Sequence, residues 1–141
     1  MKEYSYFTDT NIFLRTLLRD EEETFRDCLN LLNKIKRGEI KAFTSNLVLA
    51  EINWTLLRFY KFPKENVIKS LQSILRLKNL KIIDKFNSNS AIEIYKNFPI
   101  KFIDALLASN PQIFQKKTII VSYDKDFDKL KIIRIEPKEL L

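Results

Sequence analysis

Short apolar runs alternate with longer helical periodicities along the whole chain. Runs typical of strands occupy residues 4–8, 40–44, 80–83, 118–121 and 131–135. Apolar positions spaced three and four apart predict helices over residues 10–18, 20–38, 44–60, 63–78, 88–98 and 100–109. The run at 118–121 is β-branched throughout, as in a strand that is buried on both faces of a parallel sheet. The last run is expected to form an edge strand.

The alternation of strands and helices predicts the architecture. Right-handed crossovers between parallel strands place helices on both faces of one sheet. We therefore expect an α/β fold, a three-layer α/β/α sandwich with a mostly parallel central sheet. The chain has 141 residues, of which 45% are hydrophobic, and this is enough for one substantial core. Residues 1–141 are thus expected to form a single domain.

Several residue types are scarce enough to exclude whole classes of chemistry. The chain has no histidine, which excludes Ser–His and Cys–His catalysis and histidine-bound zinc. The one cysteine, Cys28, can form neither an internal disulfide nor a Cys₄ zinc site, and its apolar helical surroundings predict a buried thiol. A single glycine, Gly38, excludes a P-loop and a glycine-rich dinucleotide turn. Enzymatic chemistry would therefore depend on carboxylates, lysines, hydroxyls or a metal ion bound by oxygen.

Charge and hydropathy bear on partners and location. Lys and Arg number 25 against 18 Asp and Glu, and the net charge of +7 favours a polyanionic partner such as nucleic acid. Because the lysines are scattered, an ordinary solvated surface would explain the same charge. No run approaches the roughly 18 to 20 apolar residues that span a bilayer, and the first four residues contain no apolar signal region. We expect a soluble cytoplasmic protein.

Two aspartates follow predicted strands at the positions where ligands bind in such folds. Asp9 comes directly after the first strand, and Asp124 follows the fourth strand. Ligands of doubly wound sheets bind beyond the carboxyl ends of the strands, where the strand order reverses. If these two strands are neighbours, both carboxylates project into one crevice. The alternative is that each aspartate caps the N-terminus of a helix.

Two further acids lie inside otherwise apolar stretches. Glu51 and Asp104 are expected to be paired or bound to a metal if they are buried, because an isolated buried charge is costly. Each could instead be the solvent-facing position of an amphipathic helix. In a chain without histidine, clustered carboxylates are the natural ligands for a hard cation such as Mg²⁺ or Mn²⁺.

Together these segments resemble the PIN domain, a family of Mg²⁺-dependent ribonucleases, and in particular its VapC-type toxins. The resemblance covers nearly the whole chain and depends on the order and spacing of short motifs rather than on any one of them. These motifs are Asp9-Thr10-Asn11, Glu51 in the third helix, Ile103-Asp104-Ala105, and Ser122-x-Asp124-x-Asp126-Phe127.

The resemblance implies a single PIN-like domain with a defined site and activity. Its catalytic, metal-binding acids would be Asp9, Glu51, Asp104 and Asp124. Thr10, Asn11 and Ser122 would orient those acids, and Asp126 would either assist or face solvent. The implied activity is Mg²⁺-dependent endoribonuclease cleavage, with Mn²⁺ able to substitute, by the toxin of a toxin–antitoxin system. The implied partners are an RNA substrate, a small antitoxin protein and a second copy in a homodimer.

Three basic residues lie near the acids in sequence and are candidates for binding RNA phosphates: Arg15, Arg58 and Lys125. For each of them, ordinary surface charge is an equal alternative.

Other functions stay open at this point. A DNA nuclease related to the flap nucleases would use a similar crevice, but those proteins are larger. A housekeeping RNA-processing nuclease would have the same site without an antitoxin. A catalytically idle PIN-like binding module usually lacks one or more acids, whereas this chain has all four.

Overall fold

The computed structural model describes residues 3–141, so Met1 and Lys2 of the expected domain lie outside the described residues. The fold is an α/β/α sandwich around a five-stranded sheet in the order β3-β2-β1-β4-β5. The strands are β1 Ser5–Thr8, β2 Ala42–Thr44, β3 Leu80–Ile82, β4 Thr118–Val121 and β5 Arg134–Ile135. Every strand pair in residues 3–141 is parallel, which confirms the predicted fold class.

The central strand, β1, pairs with β4 over its full length, with Phe7 beside Ile120 and Thr8 beside Val121. The chain runs outward from β1 through β2 to β3, and then returns to β4 on the other side of β1. The strand order therefore reverses between β1 and β4. All four residues of β4 are buried, as predicted for a strand that is covered on both faces.

Seven helices cover the sheet in residues 3–141. They are α1 Thr10–Leu18, α2 Glu22–Lys36, α3 Asn46–Trp54, α4 Lys64–Leu75, α5 Ser88–Asn97, α6 Phe102–Ala108 and α7 Pro111–Phe114. A π-helical turn, Thr55–Phe59, extends α3, and two 3₁₀ turns span Lys125–Lys129 and Pro137–Leu140. None of the described helices is long and apolar enough to span a bilayer.

Alternation along the strands divides the core into two clusters, one on each face of the sheet. Phe43 and Ile120 belong to the larger cluster, which α3 to α7 cover. Their neighbours Ala42 and Val121 point the opposite way and belong to the smaller cluster under α2. Cys28 of α2 is fully buried there, as predicted from its apolar surroundings.

The structure differs from the predicted elements mainly at their ends. The helix predicted over 44–60 changes from α to π geometry after Trp54, and the Tyr60 amide then donates to the Thr55 carbonyl at 3.1 Å. The helix predicted to continue to residue 109 ends at Ala108. Asn110 then caps the short helix α7, which begins at Pro111, because an asparagine side chain and a proline start a helix well.

Candidate active site

Asp9 lies where β1 ends and α1 begins. Its backbone amide donates to the Val121 carbonyl at 3.2 Å, which fastens the exit of β1 to β4. Its Oδ1 accepts a hydrogen bond from the Thr10 amide at 2.8 Å, so Asp9 is the N-cap of α1. The cap and the candidate site are therefore the same carboxylate, and the capping bond fixes its orientation.

The second oxygen of Asp9 is held from the neighbouring strand. The Ser122 hydroxyl donates to Asp9 Oδ2 at 2.6 Å, and the Asn11 side-chain amide approaches the same oxygen at 3.4 Å. Asn11 also donates to Ser122 Oγ at 2.9 Å and accepts from the Tyr123 amide at 3.1 Å. Asn11 and Ser122, which the family resemblance implies orient the acids of the site, thus contact Asp9.

Ser122 also connects Asp9 to the acid beyond β4. The Asp124 amide donates to Ser122 Oγ at 3.0 Å. The Asp124 side chain accepts from the Asp126 amide at 2.9 Å and caps the 3₁₀ turn that follows. Asp9 and Asp124 are therefore both N-caps, and both also line one cleft. A helix cap and a position in a shared crevice, which the sequence left as alternatives, thus occur together in each residue.

In the part of the chain that the structure describes, Asp104 lacks the hydrogen-bond partners that orient Asp9. It lies in the first turn of α6, is only 4% exposed, and its Oδ2 has no hydrogen-bond partner among the described residues. The buried hydroxyl of Thr10 also lacks one within residues 3–141. A buried carboxylate oxygen without a partner is costly, so a cation or an ordered water is expected there.

The four acids predicted from the sequence line one cleft of about 210 Å³. Its walls are formed by Asp9, Thr10, Asn11, Leu14, Glu51, Thr55, Lys101, Asp104 and Asp124. Glu51 reaches this cleft from α3 and is half-buried. The cleft lies beyond the carboxyl ends of β1 and β4, at the point where the strand order reverses.

Burial and the neighbouring negative charges raise the pKa values of two acids of the cleft, Asp9 and Asp104. Burial raises the pKa of Asp9 to about 6; hydrogen bonds from Ser122 and Thr10 oppose this rise, and the Glu51 and Asp124 charges add to it. Burial raises the pKa of Asp104 to about 7; Lys101 opposes this rise, and the other acids add to it. Without a cation, both carboxyl groups hold a proton more readily than an exposed aspartate does.

The donor set of the cleft fits a hard divalent cation. Carboxylate oxygens of Asp104, Asp124 and Asp126 lie within 4.8 Å of one another. The acidic side chains offer only oxygen ligands, and Asp104 Oδ2 is buried without a partner among residues 3–141, which are features that suit Mg²⁺ or Mn²⁺. Asp126 therefore belongs to the acidic cluster, although it also pairs with Lys129 at 2.8 Å.

The three basic residues suggested for RNA binding lie outside the lining of this cleft. Arg15 lines an adjoining cleft of about 210 Å³, which shares Asn11 and Leu14 with the acidic one, and its guanidinium is 3.6 Å from Asp20. Arg58 in the π-helical turn and Lys125 in the 3₁₀ turn are exposed. A role for any of the three stays a prediction.

Sequence reasoning missed Lys101, which lines the acidic cleft. A signal was present, because Lys101 precedes Asp104 by three residues at a predicted helix start, where such positions share one face. The cleft residues Leu14 and Thr55 carried no such signal, since nothing in their neighbourhoods distinguishes them from other helical positions.

Comparisons with known proteins agree with this geometry. Residues 6–133 match the PIN domain family. Among solved structures, the VapBC2 complex of Rickettsia felis, determined with a DNA fragment from its promoter, has a TM-score of 0.65 at 21% identity, and the match covers 93% of this chain and 97% of that one. No curated protein matches the chain significantly.

Two further solved structures share the fold. The VapC20 toxin of Mycobacterium tuberculosis, which cleaves the sarcin–ricin loop, has a TM-score of 0.61 at 14% identity, and the match covers 93% of this chain and 98% of that one. A toxin–antitoxin complex from Klebsiella pneumoniae has a TM-score of 0.58 at 14% identity, with coverage of 94% and 98%. At these identities the likeness concerns the fold alone.

Proposed function

This chain belongs to the PIN domain family, and we propose that it is a metal-dependent endoribonuclease, the toxin of a toxin–antitoxin pair. The observation that carries the proposal is the cleft at the switch point of the sheet. Asp9, Glu51, Asp104 and Asp124 line it together, and one buried oxygen of Asp104 has no partner within residues 3–141. A binding module without activity would have no need to retain this unfavourable arrangement of charge.

The proposed reaction is hydrolysis of an RNA phosphodiester. Water attacks phosphorus, the bond to the 3′ oxygen breaks, and the products carry a 5′-phosphate and a 3′-hydroxyl. Bound Mg²⁺ would lower the pKa of water and neutralise charge that develops on the phosphate. Asp9, Asp104 and Asp124 would hold the cation, and Mn²⁺ would substitute because it prefers the same oxygen donors.

The remaining polar residues have supporting roles in this proposal. Ser122 and Asn11 keep Asp9 fixed, so the carboxylate needs little reorganisation when it binds a cation. Glu51 of α3 is half-buried in the same cleft and would orient the attacking water. Asp126 would extend the ligand set, since one of its oxygens already lies near those of Asp104 and Asp124.

An antitoxin partner is proposed from the fold relatives and from an exposed aromatic surface. Two of the similar solved structures are toxin–antitoxin assemblies. Trp54 is 62% exposed and Phe59 is 72% exposed, whereas Phe13 of α1 is buried in the core. The Phe59 ring contacts that of Tyr60, which lines the cleft adjoining the acidic one. The apolar helix of a small antitoxin would cover Trp54, Phe59 and Tyr60, since exposed aromatic clusters commonly mark protein interfaces. A homodimer is proposed as well.

The decisive experiment compares nucleic acids and metals on the purified protein. We expect cleavage of single-stranded RNA with Mg²⁺ or Mn²⁺, none in EDTA, and little cleavage of DNA of the same sequence. The 5′ ends of the products, mapped on total RNA, would show where the protein cuts. Asp9→Asn should not cleave. Cleavage of DNA in preference to RNA, or no cleavage with either metal, would refute the proposal.

Expression in cells tests the toxin assignment separately. Wild type expressed alone should slow growth, Asp9→Asn should not, and a short neighbouring gene should restore growth. Toxicity that persists in Asp9→Asn would exclude RNA cleavage as its cause. RNA cleavage in vitro without toxicity in any host would support the alternative of a housekeeping RNA-processing nuclease.

A further inference from the structure

Lys101 is the one basic side chain among the described residues that line the acidic cleft. It lies at the N-terminal end of α6, directly before the helix begins. Its backbone is extended there, and the Lys101 carbonyl accepts the amide of Ala105, so the start of the helix fixes its position. The lysine is exposed and lines the cleft, so its ammonium group is accessible to a ligand.

Despite four neighbouring acids, Lys101 is unpaired. Within residues 3–141, no carboxylate oxygen lies within 4.0 Å of its ammonium group and no hydrogen bond engages it. Lys129, which pairs with Asp126 of the same acidic cluster, contrasts with it. The Lys129 ammonium is 2.8 Å from Asp126 and donates to the Pro99 carbonyl at 3.2 Å. These contacts give Lys129 a structural role, and Lys101 makes no comparable contacts among residues 3–141.

The charge of the cleft shows what an unpaired ammonium could do. A phosphodiester is repelled by four carboxylates, and one divalent cation neutralises only half of their formal charge. Burial lowers the pKa of Lys101, but the nearby acids, Asp104 foremost, raise it by more, so the side chain stays charged. Lys101 therefore adds a positive charge where an entering phosphate would need one.

We propose that Lys101 is the phosphate-binding residue of this cleft, and that its ammonium binds a non-bridging oxygen of the RNA phosphodiester that enters beside the carboxylates. The inference rests on the proposed function, because it assigns a substrate contact at the same site. A lysine can bind phosphate as a point charge without the planar geometry that arginine supplies. The alternative role is that of a tethered counter-ion, which would only relieve repulsion among the acids.

Matched variants separate the two roles. Lys101→Met keeps the length of the side chain and removes its charge, and Lys101→Arg restores the charge. Lys96→Met removes an equal charge from an exposed position on α5, outside the cleft lining. Melting temperatures measured first would verify that all three variants fold.

The main measurement is equilibrium binding of a short single-stranded RNA at several salt concentrations. Ca²⁺ replaces Mg²⁺, and gel analysis of the same samples verifies that the RNA stays intact. Loss of one phosphate contact should reduce the slope of log K against log salt by about 0.7 for a single strand. For Lys101→Met we expect this change together with about tenfold weaker binding. Lys101→Arg should retain the wild-type affinity within about twofold and leave the salt slope unchanged, and so should Lys96→Met.

Two further readouts test the tethered counter-ion role. Calorimetric titration with Mn²⁺ in the absence of RNA should give similar affinities for wild type and Lys101→Met. In cleavage assays KM should rise more than kcat falls. Tighter Mn²⁺ binding by Lys101→Met, with unchanged RNA affinity and salt slope, would overturn the inference and establish the counter-ion role.

Failure of this inference can be told apart from failure of the proposed function. If wild type cleaves RNA but Lys101→Met keeps the wild-type affinity and salt slope, only the inference fails. If wild type binds RNA and Lys101→Met loses the contact, but no metal supports cleavage, the inference stands and the nuclease proposal fails. A wild type that neither binds nor cleaves RNA would refute both.

Discussion

The two walls of the acidic cleft differ in the hydrogen bonds that their carboxylates accept. On the strand wall, at the ends of β1 and β4, Asp9 accepts hydrogen bonds at both oxygens and Ser122 links it to Asp124. On the helix wall, in α6, Asp104 has one buried oxygen without a partner among residues 3–141. Both aspartates are 4% exposed, so the contrast concerns partners rather than access to solvent.

The pKa values reflect this contrast. Burial raises both, but that of Asp9 reaches about 6 and that of Asp104 about 7. Donors from Ser122 and Thr10 stabilise the charged form of Asp9, whereas Asp104 has only the Lys101 charge to oppose its burial. The carboxylates of the strand wall are thus oriented in advance, whereas the helix wall would gain most of its stabilisation from a bound cation.

The largest expected effect follows from removing the carboxylate charge of Asp104 on the helix wall. Asp104→Asn should reduce cleavage by at least about 100-fold, because it removes a carboxylate that would act on the transition state. In EDTA at pH 8 the same variant should be more stable than wild type by about 1 to 2 kcal/mol, because a buried charge without a partner is gone. Urea denaturation and initial cleavage rates would measure the two effects.

Glu93→Gln, an exposed change on α5, is the matched control for Asp104→Asn and should alter neither quantity. Near-normal cleavage by Asp104→Asn, or its failure to fold, would show that the helix wall has been assigned the wrong role.

The pH dependence of stability should show the same contrast. In EDTA, the folded state holds protons on Asp104 and Asp9 up to about pH 7 and 6, whereas the unfolded chain releases them near 3.8. Because the folded state binds more protons in this window, stability should fall as pH rises from about 4 to 7. Asp104→Asn should remove the larger part of the fall, and Mg²⁺ should offset it most at high pH.

Melting temperatures at pH 5 and 8, with and without Mg²⁺, would test this expectation. An identical pH dependence for wild type and Asp104→Asn would contradict it.

A smaller effect is expected from loosening the strand wall. Ser122→Ala removes the donor to Asp9 Oδ2 and the acceptor of the Asp124 amide. We expect a loss of about 1 to 2 kcal/mol in the free energy of unfolding. Cleavage should fall about tenfold, since Asp9 is no longer oriented before the cation binds. Ser90→Ala, on the exposed first turn of α5, is the control. Full activity of Ser122→Ala would show that preorganisation of this wall is unimportant.

The smallest effect is expected from changing Cys28, which lies outside the acidic cleft. Cys28 Sγ lies 3.6 Å from the hydroxyl of Tyr123, and burial raises the thiol pKa to about 11. The folded protein should therefore react slowly with thiol reagents. Cys28→Ala should cost about 1 kcal/mol of stability through a small cavity and leave cleavage unchanged. Rapid labelling, or lost cleavage in a folded Cys28→Ala, would require a different account of the site.

The sequence determined the order and type of the main elements and the positions of Asp9 and Asp124 just after two of the strands. Alternating apolar runs are enough to specify a parallel sheet, and Asp9 and Asp124 follow strands because cap positions favour aspartate. The short helix α7 was missed because a four-residue helix is too short to show a hydrophobic period. The π-helical turn was missed because it has the same apolar spacing as the helix it extends.

Only the tertiary structure decided which side chains meet. Asp104 and Lys101 are three residues apart in the sequence, but their distance from Asp9 depends on where the fold places α6 relative to the ends of β1 and β4. The sequence shows three similar aromatic residues in Phe13, Trp54 and Phe59, yet of these only Phe13 lies in the core. Asp126 joined the acidic cluster because the 3₁₀ turn carries it back toward Asp104. Local propensity acts over a few residues, whereas burial, pairing and the pKa values of the cleft arise from contacts between segments about a hundred residues apart.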